Sequence, residues 1–162
     1  MAKRITIDEL SPELAKLVSV KIKGAAVRGI HSAAYRLQGM VPISIAETKP
    51  YPPQDTGELT RSIKTTKKED GAFVKVDAPH APFMEYGTRP HFPPIEPIKQ
   101  WVWRKMDVAT DEEAEEIAWL ICWKIFKYGI QPRHFMLRAL QTFKRQKILK
   151  QEIDRELKEV TP

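Results

Sequence analysis

Ile63-Lys64-Thr65-Thr66-Lys67 and Phe73-Val74-Lys75-Val76-Asp77-Ala78 flank the turn residues Glu69-Asp70-Gly71. Branched and aromatic residues alternating with polar ones, on both sides of a glycine-containing turn, predict a β-hairpin. Val74, Val76 and Ala78 fall on one face of the second strand, and Lys75 and Asp77 on the other. One face is therefore set toward a core and the other toward water. On both sides of this hairpin the sequence reads as helices and proline-rich connections.

Upstream, Ser11-Pro12-Glu13 has the chemistry of a helix start: a capping hydroxyl, a proline at the first helical position and an acid in the first turn. Leu14, Val18, Ile22, Ala25, Gly29 and Ala33 then recur at steps of three or four, one face of a long amphipathic helix ending near Gly39. Ala25, Ala26, Gly29, Ala33 and Ala34 make that face small enough for close approach to a sheet or a second helix. Pro42, Pro50, Pro52 and Pro53 predict an extended loop over residues 40–54. Asp55-Thr56-Gly57-Glu58 then reads as a capping box for a short helical turn through Leu59 and Ile63.

Downstream, Ala81 to Tyr86 is a short apolar element stopped by Gly87, whose turn calls for positive φ. Thr88 to Pro97 is a second proline-rich loop, and Pro97 to Met106 a short helix. Asp111 is expected to cap a longer helix with an acidic first turn, stopped by Gly129. That helix carries two apolar stripes. Ala114, Ile117, Ala118, Ile121 and Ile125 make one; Trp119, Trp123 and Phe126 make the other. The second is either core covered by the final helix or an interface between subunits, where aromatics are enriched. His134 to Glu159 reads as one last helix, highly charged from Lys144 on.

The 162 residues suit one domain, and an apolar content of 42% suffices for a core. No run approaches the ~18 apolar residues of a membrane span, and Met1 to Asp8 has no signal-peptide core, so we expect the protein to be made and used on the cytoplasmic side. Cys122, the single cysteine, reads as a small buried hydrophobe. The +6 charge sits mainly on the first forty residues. It is compatible with nucleic acid nearby, but Lys144, Arg145, Lys147 and Lys150 are followed by acids and no binding motif accompanies them. His31, His80, His91 and His134 lack zinc-site spacing, and no nucleophile elbow or phosphate-cradling glycine loop is present. Glu85, between Met84 and Tyr86, is the one carboxylate that invites an acid–base reading with a histidine. The plainer alternative is a bond to a backbone amide or to an arginine such as Arg89. We therefore expect no catalytic, metal or cofactor site.

Three blocks in order carry a resemblance: Asp55-Thr56-Gly57-Glu58-Leu59-Thr60-Arg61-Ser62-Ile63, then His80-Ala81-Pro82-Phe83-Met84-Glu85-Tyr86-Gly87-Thr88, then Pro132-Arg133-His134-Phe135-Met136-Leu137-Arg138-Ala139-Leu140. Together they resemble the tail-completion, or head–tail joining, family of siphophages and prophages. That family's blocks read Asp-Thr-Gly-x-Leu-x-x-Ser-Ile, Tyr-Ala-x-x-Val-Glu-Phe-Gly-Thr and Arg-Pro-Phe-Leu-x-Pro-Ala-Leu. The third departs most, with Arg138 where the family has proline. The resemblance covers Ser11 to about Leu140, and Trp101 to Gly129 is longer and more aromatic than the pattern.

The fold implied is α+β: an antiparallel sheet packed by long N-terminal and C-terminal helices, with Pro-rich loops. Within one domain over 1–162, residues 1–10 form an arm, 40–54 an extended loop and 144–162 a charged helix and tail. The function implied is structural. Such proteins form rings, typically hexameric, in the virion neck between head connector or stopper proteins and the tail tube or its terminator, with DNA passing through the lumen. Asp55, Thr56, Gly57, Glu58, Glu85, Tyr86, Gly87, Thr88, Pro132 and Phe135 are then the motif residues. Pro50, Tyr51, Pro52, Pro53, Arg89, His91, Phe92, Trp119 and Trp123 are candidates for contact with neighbours, and DNA contact would be weak and non-specific. A basic nucleic-acid-binding accessory protein is the competing expectation.

Overall fold

A computed structural model describes residues 12–49, 52, 53 and 55–160. The Ser11 cap, the 1–10 arm, Pro50, Tyr51, Gln54 and the last two residues lie outside the described residues. The described chain is mostly helical: α1 (Pro12–Ala46), α2 (Glu58–Arg61), β1 (Ile63–Lys67), β2 (Ala72–Val76), α3 (Ala81–Tyr86), α4 (Ile95–Lys105), α5 (Asp111–Tyr128), α6 (Phe135–Arg145) and α7 (Ile148–Lys158). Its sheet is the predicted hairpin, two antiparallel strands, with the Lys68 amide donating to the Gly71 carbonyl across the turn (2.9 Å). The class is α+β, with a small two-stranded antiparallel sheet. The chain divides into two compact units that share α1, α6 and the hairpin.

The first unit holds residues 1–39, 65–74 and 141–162. Its small-residue stripe does what its composition suggests. A Cβ built on Gly29 would stand 2.6 Å from the Ile153 Cα, so only glycine lets α1 approach α7 this closely. Beside that contact Glu152, nearly buried, accepts from the Ser32 hydroxyl (2.7 Å) and pairs with Arg36 (2.8 Å) and Arg155 (2.7 Å). Arg36 and Ser32 hold the Glu152 carboxyl below its ordinary range. The hairpin tip is tied to α1 by His31, whose Nε2 lies 3.0 Å from the carbonyls of both Lys68 and Gly71 and so donates.

In the second unit, residues 40–64 and 75–140, α4 packs on α5. Val102, Ala114 and Ala118 are fully buried there, with Ile95, Ile98, Trp101, Val108, Ile117 and Ile121 around them. Lys99 bridges α4 to Asp111 and Glu115 of α5, which raises its pKa, Asp111 first among the causes.

Several expectations are corrected. The first helix does not stop near Gly39. It runs to Ala46 with Pro42 inside it, so the loop expected over 40–54 begins only after that point. An interior proline costs about 3 kcal/mol. Val41 and Ile45 are fully buried beside it, each worth about 1.5–3 kcal/mol, and the Ser44 hydroxyl donates to the Phe135 carbonyl (2.7 Å). Burial therefore outweighs the proline. The Asp55 capping box does not form: Gly57 occupies the N-cap of α2 with φ 80°, and Asp55 instead grips the Arg104 guanidinium through Nε (2.9 Å) and Nη2. Helix α4 starts at Ile95, two residues ahead of Pro97, which shortens the second proline-rich loop. Thr110, not Asp111, caps α5, its hydroxyl accepting from the Glu113 amide (3.2 Å). The last helix is two helices. Lys147 adopts φ 54° between them, and the break seats Ile148 and Glu152 in the first unit's interior.

Candidate functional site

Two of the three motif blocks meet in the second unit, and their backbones run together. Thr88 donates its amide to the Ile130 carbonyl (2.9 Å), and its hydroxyl accepts from the Ile130 amide (3.0 Å). The Arg133 amide donates to Met84 (2.8 Å) and the His134 amide to Glu85 (3.1 Å). Two glycines make this possible. Gly87 (φ 74°) and Gly129 (φ 69°) lie in backbone regions that side chains rarely adopt. A Cβ on Gly87 would overlap the Ile130 carbonyl oxygen, and one on Gly129 the Thr88 carbonyl oxygen.

Glu85 is buried, and its carboxylate accepts from the amides of Met136 (2.9 Å) and Leu137 (3.0 Å). Those amides belong to the first turn of α6, which has no earlier carbonyl to bond them, so the carboxylate caps the helix. Of the two readings open for Glu85, the backbone amide is the one found. Phe135, one residue before, is fully buried. Arg138, where the family pattern has proline, forks to the carbonyls of Arg133 and Ser44 (the latter 3.0 Å) and to the Thr48 hydroxyl. It thereby satisfies oxygens at the end of α1. No local signal marks Arg138 for that role, because its partner Ser44 lies 94 positions away in sequence. Among the other motif residues, Tyr86, Thr56, Glu58 and Pro132 are exposed. The motif residues thus position backbone.

The candidate contact residues separate into two sets. Phe92, Trp119 and Trp123 come together with Phe126. Phe92 stands 5.5 Å from Trp119, 6.1 Å from Trp123 and 6.2 Å from Phe126 between ring centroids, and Trp123 stands 5.5 Å from Phe126 in an edge-on contact. Each such pair is worth about 0.5–1.5 kcal/mol beyond burial. Yet the four rings remain between 42% and 57% exposed. The aromatic stripe is not core. Helix α5 spends its packed face on Ala114, Ala118 and Cys122, all fully buried, and Trp119, Trp123 and Phe126 project from the opposite side. Burial raises the Cys122 thiol pKa. His91 and Arg89 lie beside the motif, the His91 Nδ1 2.9 Å from the Arg89 carbonyl, and both are exposed. Pro52 is exposed and Pro53 half-buried. Pro50 and Tyr51 lie outside the described residues.

Charge and metal chemistry are simply stated. Among the described residues no cluster of three or more His, Cys, Asp or Glu could hold a metal ion, and no helix is long and apolar enough to cross a membrane. Two of the basic residues behind the nucleic-acid reading, Arg28 and Arg36, are paired with Glu156 and Glu152.

Comparison with family models, with curated proteins and with solved structures gives no match to this chain.

Proposed function

We propose that this chain is a structural assembly protein, a ring-forming tail-completion or neck component that joins the head connector of a tailed phage or prophage to its tail tube. It works by burying surface against neighbours and not by turnover. The observation that carries this reading is the exposed four-ring cluster of Phe92, Trp119, Trp123 and Phe126 on the outer face of α5. Large, rigid aromatics left in water cost hydration free energy that a partner surface recovers, and they are the residues that dominate interfaces. The three-block resemblance in the sequence supports the same reading and supplies the kind of assembly. So does the use made of the motif residues, which hold α3, α6 and the end of α1 in register.

Removing the gene from a producing particle system tests the proposal. The expected result is filled heads and separate tails that purified chain joins into infective particles. Intact particles without the gene would refute it.

A further inference from the structure

The stripe on α5 extends past its aromatics. Glu112 and Glu116 precede Trp119, Trp123 and Phe126 at the same three- and four-residue steps, so all five share one helix face. Both glutamates are exposed and have no ion-pair partner among the described residues. Lys127 borders the other end of the stripe. The face is therefore acidic at its start, aromatic in its middle and basic at its end.

A second uncovered face has the matching character. The first three turns of α1 leave Leu17 58% and Val20 65% exposed. Lys21 borders them on one side and Lys16 on the other, Glu13 precedes them on the same face, and none of these three charges has an ion-pair partner among the described residues. Glu13 and Lys21 lie about 12 Å apart along a helix rising 1.5 Å per residue. Glu116 and Lys127 lie about 16 Å apart by the same rise, a difference that long side chains span. Laid antiparallel, the two faces bring Lys21 to Glu116 at one end and Glu13 to Lys127 at the other, with Leu17 and Val20 against the indoles.

We infer that the aromatic face of α5 is covered by the first three turns of α1 from a second copy of this chain. The inference rests on the assembly reading above and specifies its contact. Two different surfaces meet in it, so repetition adds subunit to subunit and closes a ring when the rotation allows. Two α5 faces could also pair with each other, but that arrangement closes after two copies and leaves Leu17 and Val20 in water.

Charge exchange on the purified full chain tests this, with sedimentation velocity over a concentration series as the readout. Glu116→Lys is expected to weaken self-association by roughly tenfold or more. Adding Lys21→Glu to that variant is expected to restore it, which a misfolded protein would not do. Trp123→Ala, at a largely exposed site, is expected to weaken association about 30-fold while leaving thermal unfolding in place. Self-association that ignores all these changes would place the contact elsewhere and overturn the inference, leaving the proposed function standing with another virion protein on α5. Loss without rescue would overturn it in favour of α5 pairing with α5. A wild-type chain that stays monomeric at every concentration would remove both the contact and the self-assembly it rests on.

Discussion

Glu85 and Gly87 sit two residues apart and do opposite kinds of work, one by its charge and one by lacking a side chain. The Glu85 carboxylate answers two amides that α6 cannot bond internally. Glu85→Ala is expected to lower stability by about 1–3 kcal/mol, and Glu85→Gln, which keeps one acceptor oxygen, by less. Gly87→Ala forces a Cβ into the Ile130 carbonyl at a left-handed φ, and we expect a loss of at least about 2 kcal/mol. Urea unfolding measures all three; an unchanged midpoint in Glu85→Ala or Gly87→Ala would remove the role given to that residue. The glycine was legible in the sequence, because a short apolar element that must stop and turn needs one. Glu85 was legible only as an acid–base candidate or as a partner for an amide or an arginine. Its partners lie 51 and 52 positions away, and no local pattern encodes a contact at that distance.

At the scale of elements, periodicity located the helices and the hairpin, and tertiary burial reset their ends. Pro42 argued for a loop, yet Val41, Ser44, Ile45 and Thr48 all find buried places and carry α1 on to Ala46. His134 to Glu159 has no glycine or proline to announce a break, so nothing local marked Lys147, whose left-handed backbone is held by the burial of Ile148 and Glu152 in the first turns of α7. The break places Glu152 among Ser32, Arg36 and Arg155. Because its folded pKa is depressed, this carboxylate contributes stability that is fully present above the ordinary glutamate value of about 4.3 and is lost as pH falls through the lower folded value. Thermal melts from pH 7 to pH 2 are expected to show a smaller acid-side decline for Glu152→Gln than for wild type. At pH 7 that variant should be less stable by about 1–3 kcal/mol. Parallel pH profiles would contradict the assignment.

For the whole molecule, the two compact units divide the labour. One is built on a small-residue helix contact and a carboxylate–arginine network; the other holds the motif blocks and the exposed aromatic face. Both stripes of α5 could be seen in the sequence, but not which one would be packed. That choice falls to the neighbour. Small alanines let α4 close on one side, and the bulk of Trp119 and Trp123 is left for the other. The central claim is that this bulk meets other subunits at a head–tail joint. Electron microscopy of particles carrying this chain with a compact label at its C-terminus tests it most directly. The account predicts a symmetric ring of label between the portal and the tail tube. Particles with a complete joint and label nowhere in them would contradict it.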